Sequence, residues 1–298
     1  MAILPPVLGT VVTAMVTPFD ADLAVDQAAA ARLMEHLVES GSDGLVLAGT
    51  TGEASTLTDD EKIGLVTLAR AELGDRVPLI ANTGSNDTAH SVALTAAAAD
   101  AGADAVLVVT PYYNRPPRAG IVGHVEAIAA IGLPVVLYNI PSRTTLNMDP
   151  ALLGELSGVP NVVAVKQANP DLEECRAVVA GTPLTVYAGN DDMLFPVMEM
   201  GGQGVISVAS HLVGREMQAV AEAARRGDMD EARSRDAGLA DLYAGLFVAP
   251  NPILIKAALE MAGLIPSGRL RLPMVAATSV QREVLRTVLD HYDVLSRA

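Results

Sequence analysis

Three lysines occur in the chain, Lys62, Lys166 and Lys256, and Lys166 closes a run that is otherwise apolar, Val162-Val-Ala-Val-Lys166. An ammonium at the end of such a run is costly unless it is paired, and desolvation favours the neutral amine. A neutral amine is what a Schiff-base nucleophile requires; the alternative is a structural lysine paired with a carboxylate. Tyr138 ends the preceding apolar run at the equivalent height. Its phenol could carry protons to and from a carbinolamine on Lys166, or it could be a core tyrosine whose hydroxyl is satisfied by backbone. Gly49-Thr-Thr-Gly-Glu53 offers the hydroxyls of Thr50 and Thr51 and a turn of backbone amides, a suitable cradle for a small carboxylate. Such Gly/Thr clusters are also ordinary loops.

Other chemistries find less support. His36, His90, His124, His211 and His291 are scattered without metal-ligand spacing, so no metal site is expected. Asn190-Asp-Asp192 opens a predicted helix and reads as a cap with favourable dipole charges rather than a cation site. No serine sits in a nucleophile elbow. Arg225 and Arg226 read as solvated charges at a helix end.

These residues need a scaffold that brings strand ends together. Eight short β-branched runs recur, at Gly9–Val16, Gly44–Ala48, Val77–Ala81, Ala105–Val109, Pro134–Tyr138, Val162–Val165, Leu184–Ala188 and Gly204–Val208. Between them lie segments of helical period, among them Asp26–Glu39, Asp59–Leu73, Asp87–Ala101 and Asp191–Met200. Asp26, Asp59, Asp87 and Asp149 are the expected N-caps. Runs that are apolar throughout belong to parallel sheets covered on both faces. Eight strand and helix units then predict an α/β fold, a (β/α)8 TIM barrel, whose active site lies at the C-terminal strand ends. Thr50, Thr51, Tyr112, Tyr113, Tyr138, Lys166 and Gly189 all fall at such ends. A doubly wound sheet would show a glycine-rich phosphate loop after its first strand, and none is present. After Gly227 the strand signal stops, and helical segments at Asp228–Leu246, Pro252–Ala262 and Thr278–Ser296 follow. The expected division is a barrel over 1–227 and a three-helix appendage over 228–298.

The composition agrees with a large buried core: of 298 residues, 50% are hydrophobic and 18% charged. A net charge of -15 and a pI near 4.6 oppose binding to nucleic acid. Mean hydropathy is +0.34, yet no run of membrane-spanning length stays apolar, so no membrane association is expected. The first ten residues lack the pattern of a secretory signal. Cys175 is the single cysteine and fits a reducing, cytoplasmic setting.

The motifs taken together resemble the dihydrodipicolinate synthase/N-acetylneuraminate lyase family of pyruvate-dependent class I aldolases. The resemblance runs nearly the full length, through Thr13-Ala-Met-Val-Thr-Pro-Phe19, Gly49-Thr-Thr-Gly-Glu53, Thr110-Pro-Tyr-Tyr-Asn114, Tyr138-Asn-Ile-Pro-Ser-Arg-Thr144, Val165-Lys166, Gly189-Asn-Asp-Asp192, Gly204-Val-Ile-Ser-Val208, Asn251-Pro-Ile-Leu-Ile-Lys256 and Leu270-Arg-Leu-Pro273. It implies that Lys166 forms an imine with pyruvate and that Tyr138 is the general acid/base. Thr50 and Tyr113 complete a proton relay, with Tyr113 reaching the site of a neighbouring subunit. Thr51 holds the pyruvate carboxylate, and Gly189 and Ile206 supply backbone around it. No cofactor beyond the covalent imine is implied, and the assembly is a homotetramer built from tight dimers. Arg143 resembles the arginine of the synthase branch that grips the carboxylate of L-aspartate 4-semialdehyde, which implies condensation with pyruvate on the route to lysine and diaminopimelate. A sugar-acid aldolase or dehydratase is the alternative within the family, and a silent metabolite-binding barrel the alternative outside catalysis. Asn82 and Gln167 depart from the usual pattern; Gln167 should point away from Lys166 because strand neighbours alternate faces. In lysine-inhibited relatives the effector meets histidines and a glutamate. The matching positions here are Asp59, Lys62 and His90, with Asn86 and Tyr112 retained, which implies weak or absent inhibition by L-lysine.

Overall fold

The computed structural model describes residues 8–296, so residues 1–7 of the stretch read for a secretory signal lie outside it. Eight strands run parallel and close in chain order: β1 Val11–Ala14, β2 Gly44–Leu47, β3 Leu79–Asn82, β4 Ala105–Val109, β5 Val135–Asn139, β6 Val162–Gln167, β7 Thr185–Ala188 and β8 Gly204–Ser207. β1 pairs with β8, which completes the barrel. All eight predicted runs become strands, with ends that shift by a few residues. β1 starts two residues later than expected because Gly9 adopts a positive φ of 99°. β6 extends two residues further, so Lys166 lies inside the strand rather than just beyond it.

The apolar runs are explained by two separate buried layers. One set of side chains, including Val12, Val46, Ile80, Leu107, Val136, Ala164 and Ile206, packs together as one cluster. Their strand neighbours, such as Val11, Leu45, Leu79, Val106, Leu137 and Val165, join the larger cluster that includes the helices. Alternation along each strand assigns the first set to the barrel interior and the second to its outer face.

The helices confirm three of the four expected caps. Asp26, Asp87 and Asp149 each accept a hydrogen bond from a backbone N–H in the first turn. The helix Asp59–Leu73 is capped instead by Thr58, whose side chain and that of Glu61 form a reciprocal capping box. Asp59 is thereby free for other partners. The segment Asp228–Leu246 is two helices, Met229–Ala237 and Ala240–Leu246, which meet at Gly238 and Leu239. The last helix, Ser279–His291, packs on Ala240–Leu246 and on Ile253–Met261. No helix among the described residues is long and apolar enough to cross a membrane.

Asp236, on the helix Met229–Ala237, is half-buried and accepts a hydrogen bond from the Tyr243 hydroxyl at 3.4 Å. Burial pushes its carboxyl up to about 7; the Tyr243 bond opposes the rise, and the charges of Asp192 and Asp191 add to it. In the unfolded chain an aspartate titrates near ~3.9. The folded state therefore holds a proton that the unfolded state has lost, and stability falls as pH rises through that window. Asp236→Asn, which stays neutral, should raise the melting temperature more at about pH 8 than at about pH 4. Thermal unfolding at the two pH values checks this, and an equal difference at both would contradict it.

Candidate active site

Lys166 and Tyr138 are register partners across β5 and β6, and both are 5% exposed. Register partners in a parallel ladder project from the same face, so both point into the barrel mouth. The Lys166 Nζ stands 4.5 Å from the centroid of the Tyr138 ring, over its face. Among the described residues no carboxylate closes an ion pair on Lys166. The buried lysine that does have one is Lys256, 2.7 Å from Glu53 Oε1. The ion pair expected of a structural lysine is thus found at Lys256.

Gln167 and Asn139 occupy the next register and turn outward. Asn139 Nδ2 donates to Gln167 Oε1 at 2.7 Å and also to Met148 O at 3.2 Å. Gln167 therefore points away from Lys166, as strand alternation requires. Gly189 follows β7 and donates its N–H to Gln167 O at 2.7 Å. A Cβ at Gly189 would stand 2.6 Å from the Cβ of Ala168, so only glycine permits this approach beside Lys166. Ile206 on β8 belongs to the interior cluster with Tyr138.

The turn after β2 folds on itself: Glu53 N donates to Thr50 O, and Ala54 N donates to Gly49 O, each at 3.1 Å. Thr50 is half-buried and Thr51 is buried. The Thr51 hydroxyl oxygen accepts from Asn251 Nδ2 at 2.9 Å, which leaves its own proton available to an anion. Thr50, Asn82, Tyr112, Arg143 and Asn251 line one cavity of about 550 Å³. Lys166, Tyr138 and Thr51 are not among the residues that line it; Val109, which is, pairs in register with Tyr138. Arg143, on the short helix Pro141–Thr144, is exposed and makes no ion pair among the described residues. Tyr113 is 91% exposed and has a positive φ of 71°, so within one chain it stands away from Lys166. A groove of about 710 Å³ on the barrel's outside, between Asp59–Leu73 and Thr88–Asp100, holds none of these residues.

Three features differ from, or go beyond, the sequence reading. Asn190 makes no capping bond with its side chain, and the Asp191–Met193 turn is a 3-10 helix. Asp191 is not a solvated cap charge: it is buried and accepts from Ser207 Oγ, Val208 N and Ala209 N. It fixes the end of β8. Burial raises its carboxyl pKa, while these hydrogen bonds and the charge of Lys166 oppose the rise. Asn251 and Glu53, quoted only as parts of motifs, prove to brace the Thr50–Thr51 turn.

His211 braces the fold. Val16 N donates to His211 Nε2 at 3.1 Å, so its Nδ1 carries the proton and donates to Val208 O at 2.8 Å. Burial pulls its pKa down to about 4. Among the described residues no group of three His, Cys, Asp or Glu side chains is placed to hold a metal ion. Asp59 bonds both His90 Nε2 at 2.7 Å and Lys62 Nζ at 3.0 Å. Burial pushes the Asp59 pKa up, but its bonds to Lys62 and His90 outweigh this and hold it below the usual range.

Comparison with known proteins agrees with this geometry. Residues 7–292 match the model of the dihydrodipicolinate synthetase family. A 4-hydroxy-tetrahydrodipicolinate synthase from Moorella thermoacetica is 45% identical over 290 residues, covering 96% of this chain and 99% of its own. The structure of the Cyanidioschyzon merolae synthase, solved with lysine bound, superimposes with a TM-score of 0.94 at 39% identity, covering 97% of this chain and 99% of that one. The chloride-inhibited Acinetobacter baumannii synthase, solved with pyruvate, gives 0.93 at 36% identity, covering 96% of this chain and 99% of that one. Barrel and C-terminal helices alike fall within the matched region, and the chain belongs to the dihydrodipicolinate synthetase family.

Proposed function

We propose that the chain is a Schiff-base lyase that condenses pyruvate with L-aspartate 4-semialdehyde to 4-hydroxy-tetrahydrodipicolinate, a step toward lysine and diaminopimelate. The observation that carries the mechanism is a buried Lys166, with no ion pair among the described residues, set over the Tyr138 ring. The synthase relatives support the choice of substrates over a sugar acid. The retention of Lys166, Tyr138, Thr50 and Tyr113 supports catalysis over a silent barrel.

Pyruvate enters with its carboxylate toward the Thr51 hydroxyl and the amides of the turn. The Lys166 amine adds to the keto carbon, and Tyr138 passes a proton to the oxygen so that it leaves as water. The iminium withdraws electrons from the neighbouring methyl group, which loses a proton to the Tyr138 phenolate to give an enamine. The enamine carbon attacks the aldehyde, whose oxygen takes up that proton from Tyr138, while Arg143 holds the second carboxylate with two parallel hydrogen bonds. The amino group of the second substrate can then displace Lys166 from the imine carbon, closing the ring and freeing the amine. Electrons are stored on the imine nitrogen throughout, so the chemistry asks for no further cofactor.

Tyr113 completes the relay in a partner subunit, which makes the tight dimer the smallest complete unit; two such dimers give a homotetramer. Its exposure on the lone chain supports this reading. The reaction belongs in the cytoplasm and needs no membrane or nucleic acid partner.

Three outcomes follow. Borohydride reduction in the presence of pyruvate should add a reduced pyruvyl group to the peptide that carries Lys166, read by mass spectrometry; modification of Lys62 or Lys256 instead would overturn the assignment. Arg143→Ala should raise the apparent KM for the aldehyde roughly 10- to 150-fold, the loss of a charge-assisted contact worth about 1.5–3 kcal/mol, with little effect on imine formation. Equal damage to both steps would contradict its role. L-lysine should inhibit weakly or not at all, because Lys62 repels a cationic effector and Asp59 is already engaged by Lys62 and His90. Half-maximal inhibition below the millimolar range at saturating pyruvate would refute this.

A further inference from the structure

The second buried lysine lies outside the reaction just described. Lys256 is on the C-terminal helix Ile253–Met261, is 0% exposed, and places its Nζ 2.7 Å from Glu53 Oε1 and 4.1 Å from the centroid of the Phe19 ring. Glu53 ends the Thr50–Thr51 turn. Its other carboxylate oxygen accepts from the backbone N of Arg271 at 3.0 Å. The Arg271 guanidinium covers the Phe19 ring at 4.5 Å and donates to Thr56 O at 2.8 Å, to Leu23 O at 2.9 Å and to both oxygens of Glu61. The C-terminal segment thus grips the turn at two points: Asn251 at the Thr51 hydroxyl, and Lys256 with Arg271 at the Glu53 carboxylate.

The backbone shows why such a grip is needed. Glu53 has a positive φ of 59°, a conformation that costs energy for any residue with a Cβ and persists only where the surroundings over-determine it. Its carbonyl accepts from Thr56 N at 2.9 Å, and its N–H closes the turn on Thr50 O. A shift at Glu53 is therefore passed directly to Thr50. A buried carboxylate deprived of its ammonium must take up a proton or draw in water, and either would relax the turn.

We propose that the Lys256–Glu53 ion pair is a positioning element for the keto-acid carboxylate, by which the C-terminal helices fix the Thr50–Thr51 turn and set how tightly pyruvate is held. The proposal rests on the reading of that turn as the pyruvate cradle. Lys256 touches no substrate in this account; it acts through Glu53 and the backbone of Thr50.

The test uses the full chain in two forms, Lys256→Met and the double variant Glu53→Gln with Lys256→Met. The readout is the pyruvate concentration that half-saturates borohydride trapping at Lys166, beside the apparent KM for each substrate. Displacement of a binding group by a fraction of an ångström to one ångström costs roughly 10- to 100-fold. An increase of that order in the pyruvate requirement is expected for the single variant, and a smaller one for the double variant, with the KM for the aldehyde changed far less. A lowered melting temperature with the pyruvate requirement unchanged would make the pair merely structural and overturn the proposal. If the single variant does not fold, the double variant decides by the same criterion. Failure of both to fold also overturns it, since the pair would then be a requirement for folding. Thr51→Val separates the two levels: an unchanged pyruvate requirement there refutes the cradle, whereas a raised one with Lys256→Met unchanged refutes only the positioning pair.

Discussion

A primary amine carried into a protein interior loses its hydration, and it needs either a fixed counter-ion or a reason to be left without one. The two buried lysines of this chain take the two courses. Lys256 has the Glu53 carboxylate and the face of the Phe19 ring, which Arg271 also covers. Lys166 has the face of Tyr138 and no ion pair among the described residues. One is paired within the structure, and the other is the amine that the proposed chemistry uses. Removing one member of a buried ion pair typically costs about 3–5 kcal/mol, so Lys256 cannot be treated as a passive core residue.

The barrel makes this contrast possible. Closing eight parallel strands gives each an inward-facing residue near its C-terminal end, and neighbouring strands in register bring Tyr138 and Lys166 side by side. Polar groups beyond the strand ends are then fixed from outside. Asp191 holds the start of the segment after β8, Asn139 and Gln167 tie β5 to β6 on the outer face, and Gly189 lets β7 approach Ala168 closely. The C-terminal segment reaches the turn after β2 through Asn251, which bonds Thr51, and Lys256, which pairs with Glu53.

Much of this was legible in the residues. Apolar runs of strand length separated by amphipathic segments could satisfy both faces of a parallel sheet in few ways, and the lysine closing Val162–Val165 stood out against its neighbours. What was not legible depended on contacts distant in sequence. Asp59 looks like a helix cap by position, but Thr58 with Glu61 satisfies the first turn better, which frees Asp59 for Lys62 and His90. Asp191 looks like a helix-cap charge, yet its partners lie at the end of β8 and just beyond it, sixteen to eighteen residues away. Lys256 interrupts the apolar run of a buried helix, Ile253–Met261, and only the contact with Glu53, 203 residues away, shows what neutralises it. Local pattern carries the elements; pairing across the barrel mouth carries the division of labour among charged groups.

The central claim is that Lys166, and not its fully paired counterpart, bonds covalently to the keto acid. A crystal structure of the chain soaked with pyruvate tests it most directly. The account predicts continuous density from the Lys166 Nζ to the keto carbon, with the carboxylate against Thr50 and Thr51 and the Lys256–Glu53 pair undisturbed. Pyruvate bound without a bond to Lys166, or joined to Lys256, would contradict it.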